Sequence, residues 1–410
     1  MGQSVFSPLT LPNGIELPNR LAKAAMEENM AVTGHLPGDG IFRLYETWAN
    51  GGTGLLITGN VMVDHRAMTG PGGIALEADT PLAPFKQWAK AGQKNATHMW
   101  MQINHPGRQV YAAMGGAVLS PSDVALDLGK HSKMFGQPRA MRENEIQELI
   151  QRFAITASRA VEAGFNGIQI HAAHGYLLSQ FLSPLSNQRK DQWGGSLENR
   201  ARLLYDVVKA VQAAVPKDTA ISVKLNSADF QRGGFDTDDA LQVVKQLGEL
   251  QVDLVELSGG SYESPAMQGN TADGRTLARE AYFLSFAKEI AKQATMPIMT
   301  TGGITRLAVA QQVIDQGVDM AGIGRALAFS PALPNLWKKS PQTQAVLPSV
   351  NWKNKTIAGV ATMAITKRQL QRMGNGKQPK INSSPIFSLI SDQMRLKKLT
   401  KAYRNRYATA

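Results

Sequence analysis

Short apolar runs recur along the chain at intervals too even to be incidental. They read "LAKAAM" (21–26), "GLLITG" (54–59), "MWMQIN" (99–104), "FNGIQI" (165–170), "AISVKL" (220–225), "VDLVEL" (252–257), "PIMTTG" (297–302) and "MAGIGR" (320–325). Most are near-continuous rather than alternating, the pattern of parallel strands covered on both faces. Between them the apolar positions move to helical spacing. Over 143–164, Ile146, Leu149, Ile150, Phe153, Ala157 and Val161 share one face. After Ser196, placed to cap a helix with Glu198 in its first turn, Leu203, Leu204, Val207, Val208 and Val211 do the same. Residues 236–250 and 306–317 repeat the pattern. Strand and helix alternating eight times predict an α/β chain folded as a (β/α)8 TIM barrel. A doubly wound sheet is the rival, but it normally has a glycine-rich turn after its first strand, where this chain has "AAMEENM". The later "AGIGRAL" lacks the third glycine of a dinucleotide fingerprint. The interval 106–141 is too long for a simple turn and is expected to form a lid or hairpin over the barrel mouth after the third strand.

Composition narrows the chemistry. Of 410 residues, 43% are hydrophobic and none is cysteine. The absence of cysteine excludes disulfides, thiolate zinc sites, iron–sulfur clusters and a cysteine nucleophile. The N-terminus has neither a basic nor an apolar leader region, and no stretch approaches the ~20 apolar residues of a membrane span. A soluble, untargeted, cytoplasmic protein is the expectation, with a small-molecule substrate, no membrane partner and a homo-oligomer left open. The net charge of +12 is uneven: from Asn335 onward the chain holds 15 of its 44 Lys/Arg and one of its 32 acids, Asp392. The division is therefore a barrel over 1–337 and a basic C-terminal extension over 338–410. The extension reads either as an arm for nucleic acid or an acidic surface, or as a solvated tail that packs on a neighbouring subunit. With no nucleic-acid module and scattered aromatic residues (Trp352, Phe387, Tyr403, Tyr407), the second reading is preferred.

In a barrel of this kind the chemistry collects at the C-terminal ends of the strands, with phosphate held after strands seven and eight. Those ends read "TTGGI" (300–304) and "GIGRAL" (322–327). Gly302, Gly303 and Gly324 let backbone N–H groups approach phosphate oxygens, and Arg325 offers a charged fork. Gln102 ends strand three with an amide suited to an imide edge. Lys224 ends strand five, where its charge could face an anion delocalised on a ring. Ala24, Ala25 and Met26 follow strand one with small side chains and backbone. Strand four is followed directly by "HAAHGY" (171–176). His171 and His174 lack a third ligand nearby, so no metal is expected. No "GxSxG" elbow supports a nucleophilic triad. Two imidazoles aimed at one carbonyl oxygen would stabilise charge developing there.

The ordered strings "LPNRLAKAAM" (17–26), "QINHPGRQ" (102–109), "HAAHGYLLSQFLSPLSNQRKDQWGGSLENRARLL" (171–204), "SGGSYESP" (258–265), "TGGI" (301–304) and "GIGRAL" (322–327) span roughly residues 4 to 337. Together they resemble the NADH:flavin oxidoreductases of the Old Yellow Enzyme type, FMN-containing TIM barrels. The resemblance implies that Ala25, Met26, Gly59, Gln102 and Lys224 contact the isoalloxazine, with Glu27 beside it. It implies that the turns carrying Gly302, Gly303, Gly324 and Arg325 hold the phosphate. His171 and His174 would bind the acceptor oxygen, Tyr176 would be the proton donor, and Asn29 and Tyr262 would lie on the substrate side. The implied reaction passes hydride from NADH or NADPH through FMN to an activated alkene. Three positions depart from the family pattern. Glu27 stands where many relatives carry Cys or Thr, and an ionised acid there would disfavour electrons on the flavin. Asn29 stands where some have tyrosine, and Lys224 stands where arginine is commoner. The larger relatives of dienoyl-CoA reductase type are not expected to include this chain, which lacks cysteine. Two alternatives stay open: a phosphate-binding lyase or isomerase using Lys224 as a Schiff base, and a barrel whose tail binds nucleic acid or a surface.

Overall fold

The eight predicted strands close on one another. In the computed structural model, which describes residues 3–266, 280–281 and 283–407, they are β1 (Leu21–Lys23), β2 (Leu55–Ile57), β3 (His98–Asn104), β4 (Gly167–Ala172), β5 (Ala220–Asn226), β6 (Leu254–Ser258), β7 (Ile298–Thr301) and β8 (Met320–Ile323). Each is parallel to the next, β8 returns to β1, and β3 pairs with β4 through Gly167↔Trp100 and Gln169↔Gln102. This is the (β/α)8 barrel expected from the sequence.

Because strand side chains alternate, every second residue points into the barrel, and the interior is built in layers. At the N-terminal end the layer is apolar: Ala22, Leu55, Trp100, Leu254, Met299 and Met320. Gly167 makes room for Trp100, whose indole carbon would lie 2.7 Å from a Cβ at that position. A two-strand hairpin, Leu9–Thr10 with Glu16–Leu17, plugs this end with Leu9, Leu11 and Leu17. One step up the strands, the inward positions turn polar.

The helices cover the outside through the faces read from the sequence. They are α1 (Asp39–Ala49), α2 (Ala83–Gly92), α3 (Glu143–Glu162), α4 (Leu177–Leu182), α5 (Leu197–Ala214), α6 (Thr237–Glu249), α7 (Leu284–Ala291) and α8 (Leu307–Asp315). Ser196 caps α5 by accepting from the Asn199 N–H, and Asp236 caps α6 by accepting from the Asp239 N–H. The segment after β3 contains two short strands, Leu119–Ser120 and Arg139–Ala140, paired in parallel, so it is not an antiparallel hairpin.

After α9 (Ala326–Phe329) and α10 (Leu333–Lys339), the C-terminal extension forms two long helices, α11 (Lys355–Gly374) and α12 (Pro385–Tyr407). The sequence suggested a solvated tail; instead both helices pack on this chain's own barrel. Arg43 of α1 donates to the Gly374 carbonyl at 2.7 Å. Tyr403 of α12 is buried among Met62, Met68, Ala75 and Met114, and its hydroxyl donates to the His65 carbonyl at 2.8 Å. Tyr407 stacks on His35 with ring centroids 5.3 Å apart. These aromatic anchors looked scattered in the sequence because they are spaced along one helix and meet partners more than 300 residues away.

Candidate active site

The polar layer inside the barrel is one connected network. Gln102 Nε2 donates to Gln169 Oε1 at 2.7 Å, and Gln169 Nε2 donates to Glu256 Oε2 at 3.0 Å. Glu256 Oε1 accepts from Lys224 Nζ and from Thr301 Oγ1, both at 2.7 Å. Gln102, Lys224 and Glu256 are all buried, so the charged pair stands or falls on this hydrogen bonding. The Gln102 Oε1 has no partner among the described residues, which leaves an acceptor for an imide N–H. The amine that a Schiff-base lyase would need is engaged by Glu256, which counts against that alternative.

His171 lies within β4, on the inward side, while His174 follows in the loop at φ 63°. A non-glycine residue in that region must be held there. Asn226 Oδ1 accepts from the His174 N–H at 3.1 Å, and Gln109 Nε2 donates to its carbonyl at 3.1 Å. The two rings stand edge to face, 5.1 Å apart, and Tyr176 lies 5.0 Å from His171. Burial first, then His174 and the Lys224 charge at His171 and the Lys224 charge at His174, holds both imidazoles well below the ordinary histidine range, so both are neutral near pH 7. The Ala173 N–H donates to His171 Nδ1 at 3.2 Å, which leaves the proton on Nε2. His174 Nε2 is paired with Ser258 Oγ at 2.8 Å.

Tyr176 is bonded to Tyr262, oxygen to oxygen, at 3.1 Å. Burial, followed by the Glu27 charge, raises the Tyr176 phenol well above its usual range, and Tyr262 is raised likewise, so both keep their protons. At the end of β1, Glu27 accepts from Thr69 Oγ1 at 3.0 Å. Asn29, at φ 54°, accepts from the Gly72 N–H at 2.7 Å. Ala25 and Met26 are half-buried beside them.

Behind this edge lies a cluster that sequence reasoning missed. Lys23 Nζ, fully buried, donates to the Ile57 carbonyl at 2.6 Å and to Tyr45 at 3.1 Å, with Glu28 at 3.7 Å. Tyr45 donates in turn to Glu28. Glu28 and Tyr45 both accept from the Gly59 N–H, and a Cβ on Gly59 would collide with Glu28 Oε2 and the Met26 carbonyl. Gly59 therefore has to be glycine.

At the ends of β7 and β8, next to β1, Gly303 adopts φ 70°, and a Cβ on Gly324 would meet open space. The Gly302 carbonyl accepts from the Ala281 N–H at 2.6 Å. Arg325 is half-buried and its guanidinium, among the described residues, has no hydrogen bond or ion pair. An unpaired guanidinium beside the open turn at Gly324 and the left-handed turn at Gly303 fits a phosphate group, and the free Gln102 acceptor with the nearby Lys224 charge fits a polar-edged ring. The residues present thus suit FMN.

A cavity of about 1060 Å³ opens outward from this site. Glu27, Asn29, Tyr111 and Tyr262 form part of its wall, and helices α11 and α12 form another. His171 and His174 lie outside its lining; the Tyr262–Tyr176 hydrogen bond joins the two regions.

A closed barrel whose polar layer suits a polar-edged ring and whose β7 and β8 turns suit a phosphate fits the class of flavin-dependent redox enzymes. Residues 4–344 match the profile of the NADH:flavin oxidoreductase / NADH oxidase family, and the chain belongs to that family. It is an oxidoreductase with FMN as cofactor and NADH or NADPH as reductant. It is 37% identical over 351 residues to the NADH-dependent flavin oxidoreductase iliE of Hypocrea jecorina (strain QM6a), covering 80% of this chain and 87% of that one. It is 30% identical over 356 residues to the NADPH dehydrogenase of Bacillus subtilis (strain 168), covering 85% and 98%. The structure of an old yellow enzyme homologue from Zymomonas mobilis superposes with a TM-score of 0.72 at 26% identity, over 84% of this chain and 95% of that one. The family match ends before α11 begins. No helix among the described residues is long and apolar enough to cross a membrane.

Proposed function

We propose that the chain reduces the activated carbon–carbon double bond of an α,β-unsaturated carbonyl compound. The observation that carries this reading is the placement of two neutral imidazoles and a protonated phenol side by side, His171 and His174 with Tyr176. Bound FMN supplies the hydride relay from NAD(P)H to the β-carbon of the acceptor. His171 donates from Nε2 to the acceptor's carbonyl oxygen; with Ser258 donating to its Nε2, His174 donates from Nδ1. Two such donors strengthen as negative charge develops on that oxygen. Tyr176 gives its proton to the α-carbon, and Tyr262, bonded to it and facing the open cavity, passes a replacement proton inward. Gln102, Lys224 and Arg325 bind and orient the cofactor.

Anaerobic stopped-flow absorbance separates the two half-reactions. Tyr176→Phe is expected to slow reoxidation by an enone about 10²-fold or more, the usual contribution of a general acid. Flavin reduction by NADPH should change far less. An equal slowing of both half-reactions would remove Tyr176 from the proton-donor role. His171→Ala/His174→Ala should abolish the long-wavelength band that phenols induce on the oxidised flavin, and unchanged phenol affinity would refute the oxygen-binding role.

A further inference from the structure

The wall that α11 and α12 contribute to the outer cavity is cationic on one face. On α12, Leu396, Lys397, Thr400, Lys401 and Arg404 line the cavity at spacings of three and four residues, so they form one helical stripe. Lys367 of α11 and Lys133 of the segment after β3 complete the rim. Among the described residues none of the five cationic side chains is in an ion pair or hydrogen bond. The carboxylates in the lining are Glu27, bonded to Thr69, and Asp392, which neighbours Arg395. The rim therefore carries five positive charges against two negative ones. The cavity is at the upper end of the range for small-molecule sites and larger than a simple enone requires.

We propose that the C-terminal extension is a specificity wall: Lys133, Lys367, Lys397, Lys401 and Arg404 hold an anionic group, phosphate or carboxylate, of the ligand that reaches into the barrel mouth. The placement decides against a nucleic-acid face, because these cations converge on a cavity instead of spreading over a convex surface. Tyr403 and Tyr407, anchored on His65 and His35, hold the end of α12 to the rim. The anion belongs either to the acceptor or to the dinucleotide, both of which pass through this mouth. As a statement about the acceptor, the proposal rests on the enone-reductase reading above.

The test uses the full-length holoenzyme and the triple variant Lys397→Gln/Lys401→Gln/Arg404→Gln. One arm compares reoxidation by 2-cyclohexenone with that by a cyclohexenone bearing a butanoate chain. The other compares flavin reduction by NADPH with reduction by 1-benzyl-1,4-dihydronicotinamide, which has no phosphate. Three exposed ion pairs, each worth a factor of about two, compound to a roughly tenfold fall in the anionic-to-neutral rate ratio. High salt should lower the same ratio in the wild-type enzyme. A fall in the acceptor arm alone assigns the anion to the acceptor, and a fall in the reductant arm alone assigns it to the dinucleotide phosphates. If neither ratio moves, the proposal is overturned. It is also overturned by an equal fall in Lys338→Gln/Lys339→Gln/Lys353→Gln, which removes the same charge away from the cavity. An enzyme that reoxidises with neither enone refutes the reductase reading alone, and the rim then stands or falls on the reductant arm.

Discussion

Replacing Glu256 with glutamine tests the polar layer on which the flavin site is built. Glu256 is wholly buried and accepts from Lys224, Thr301 and Gln169. Glutamine keeps the shape but removes the counter-charge from an ammonium that is itself almost inaccessible. Breaking a buried pair from one side costs ~3–5 kcal/mol, because the remaining charge is left uncompensated. Removing both ends, in Lys224→Met/Glu256→Leu, leaves no orphan charge. That double variant loses the partner of Gln169 Nε2, a penalty of about 1–3 kcal/mol, softened by Ser222 Oγ at 3.4 Å. The double variant should therefore be more stable than the single one. The assay is urea unfolding followed by tryptophan fluorescence and circular dichroism at a fixed, saturating FMN concentration, since ligand binding adds its own stability. A loss below about 1 kcal/mol in Glu256→Gln, or a double variant less stable than the single, would refute the claim that an ion pair organises this layer.

Gly59→Ala drives a methyl group into Glu28 and the Met26 carbonyl, and should cost about 1–3 kcal/mol as overpacking, read as a lowered thermal midpoint together with weaker FMN retention on gel filtration. Burial lowers the Lys23 ammonium to about 8, against an ordinary value near 10.5. Between those values the unfolded chain holds a proton that the folded chain has lost, so the Lys23 contribution to stability rises with pH across that window. The stability difference between wild type and Lys23→Met should accordingly grow in favour of wild type from pH 8 to 9.5, and a flat difference would show that Lys23 does not titrate there. Tyr403→Phe deletes the bond to the His65 carbonyl, worth about 1 kcal/mol, and should raise the rate of limited proteolysis between α11 and α12 about fivefold.

The barrel was readable because a strand buried on both faces leaves an apolar run. The same rule hid half of the site. Gln169 and Glu256 are polar letters inside "FNGIQI" and "VDLVEL", each two positions before an inward polar residue, His171 and Ser258. That spacing of two marked them as facing the interior, but a polar residue in an apolar run ordinarily weakens a strand assignment instead of announcing a site. It also placed the end of strand four one residue before His171, whereas β4 continues through Ala172 because the barrel interior is already polar at that height. Lys23, Glu28 and Tyr45 left no local signal, since only closure of β1 against β2 and α1 brings them within hydrogen-bonding distance.

The extension was hidden for a different physical reason. A helix that seats on a core shows an apolar stripe, but α12 buries only Ser388, Asp392 and Tyr403. The face it turns to the cavity is meant for solvent and ligand, so it is polar by construction and looks in sequence like any exposed face. Net charge compounds the difficulty, because a sum cannot separate cations that face a cavity from cations that face water. Of the 15 basic residues from Asn335 onward, Lys367, Lys397, Lys401 and Arg404 line the cavity. Their spacing along the chain was visible, but what that stripe would face was decided by two tyrosines at the far end of α12, gripping loops near residues 35 and 65. An excess of charge in a tail is thus a question about which face of which helix is docked, and here the docking turns part of that excess toward the ligand.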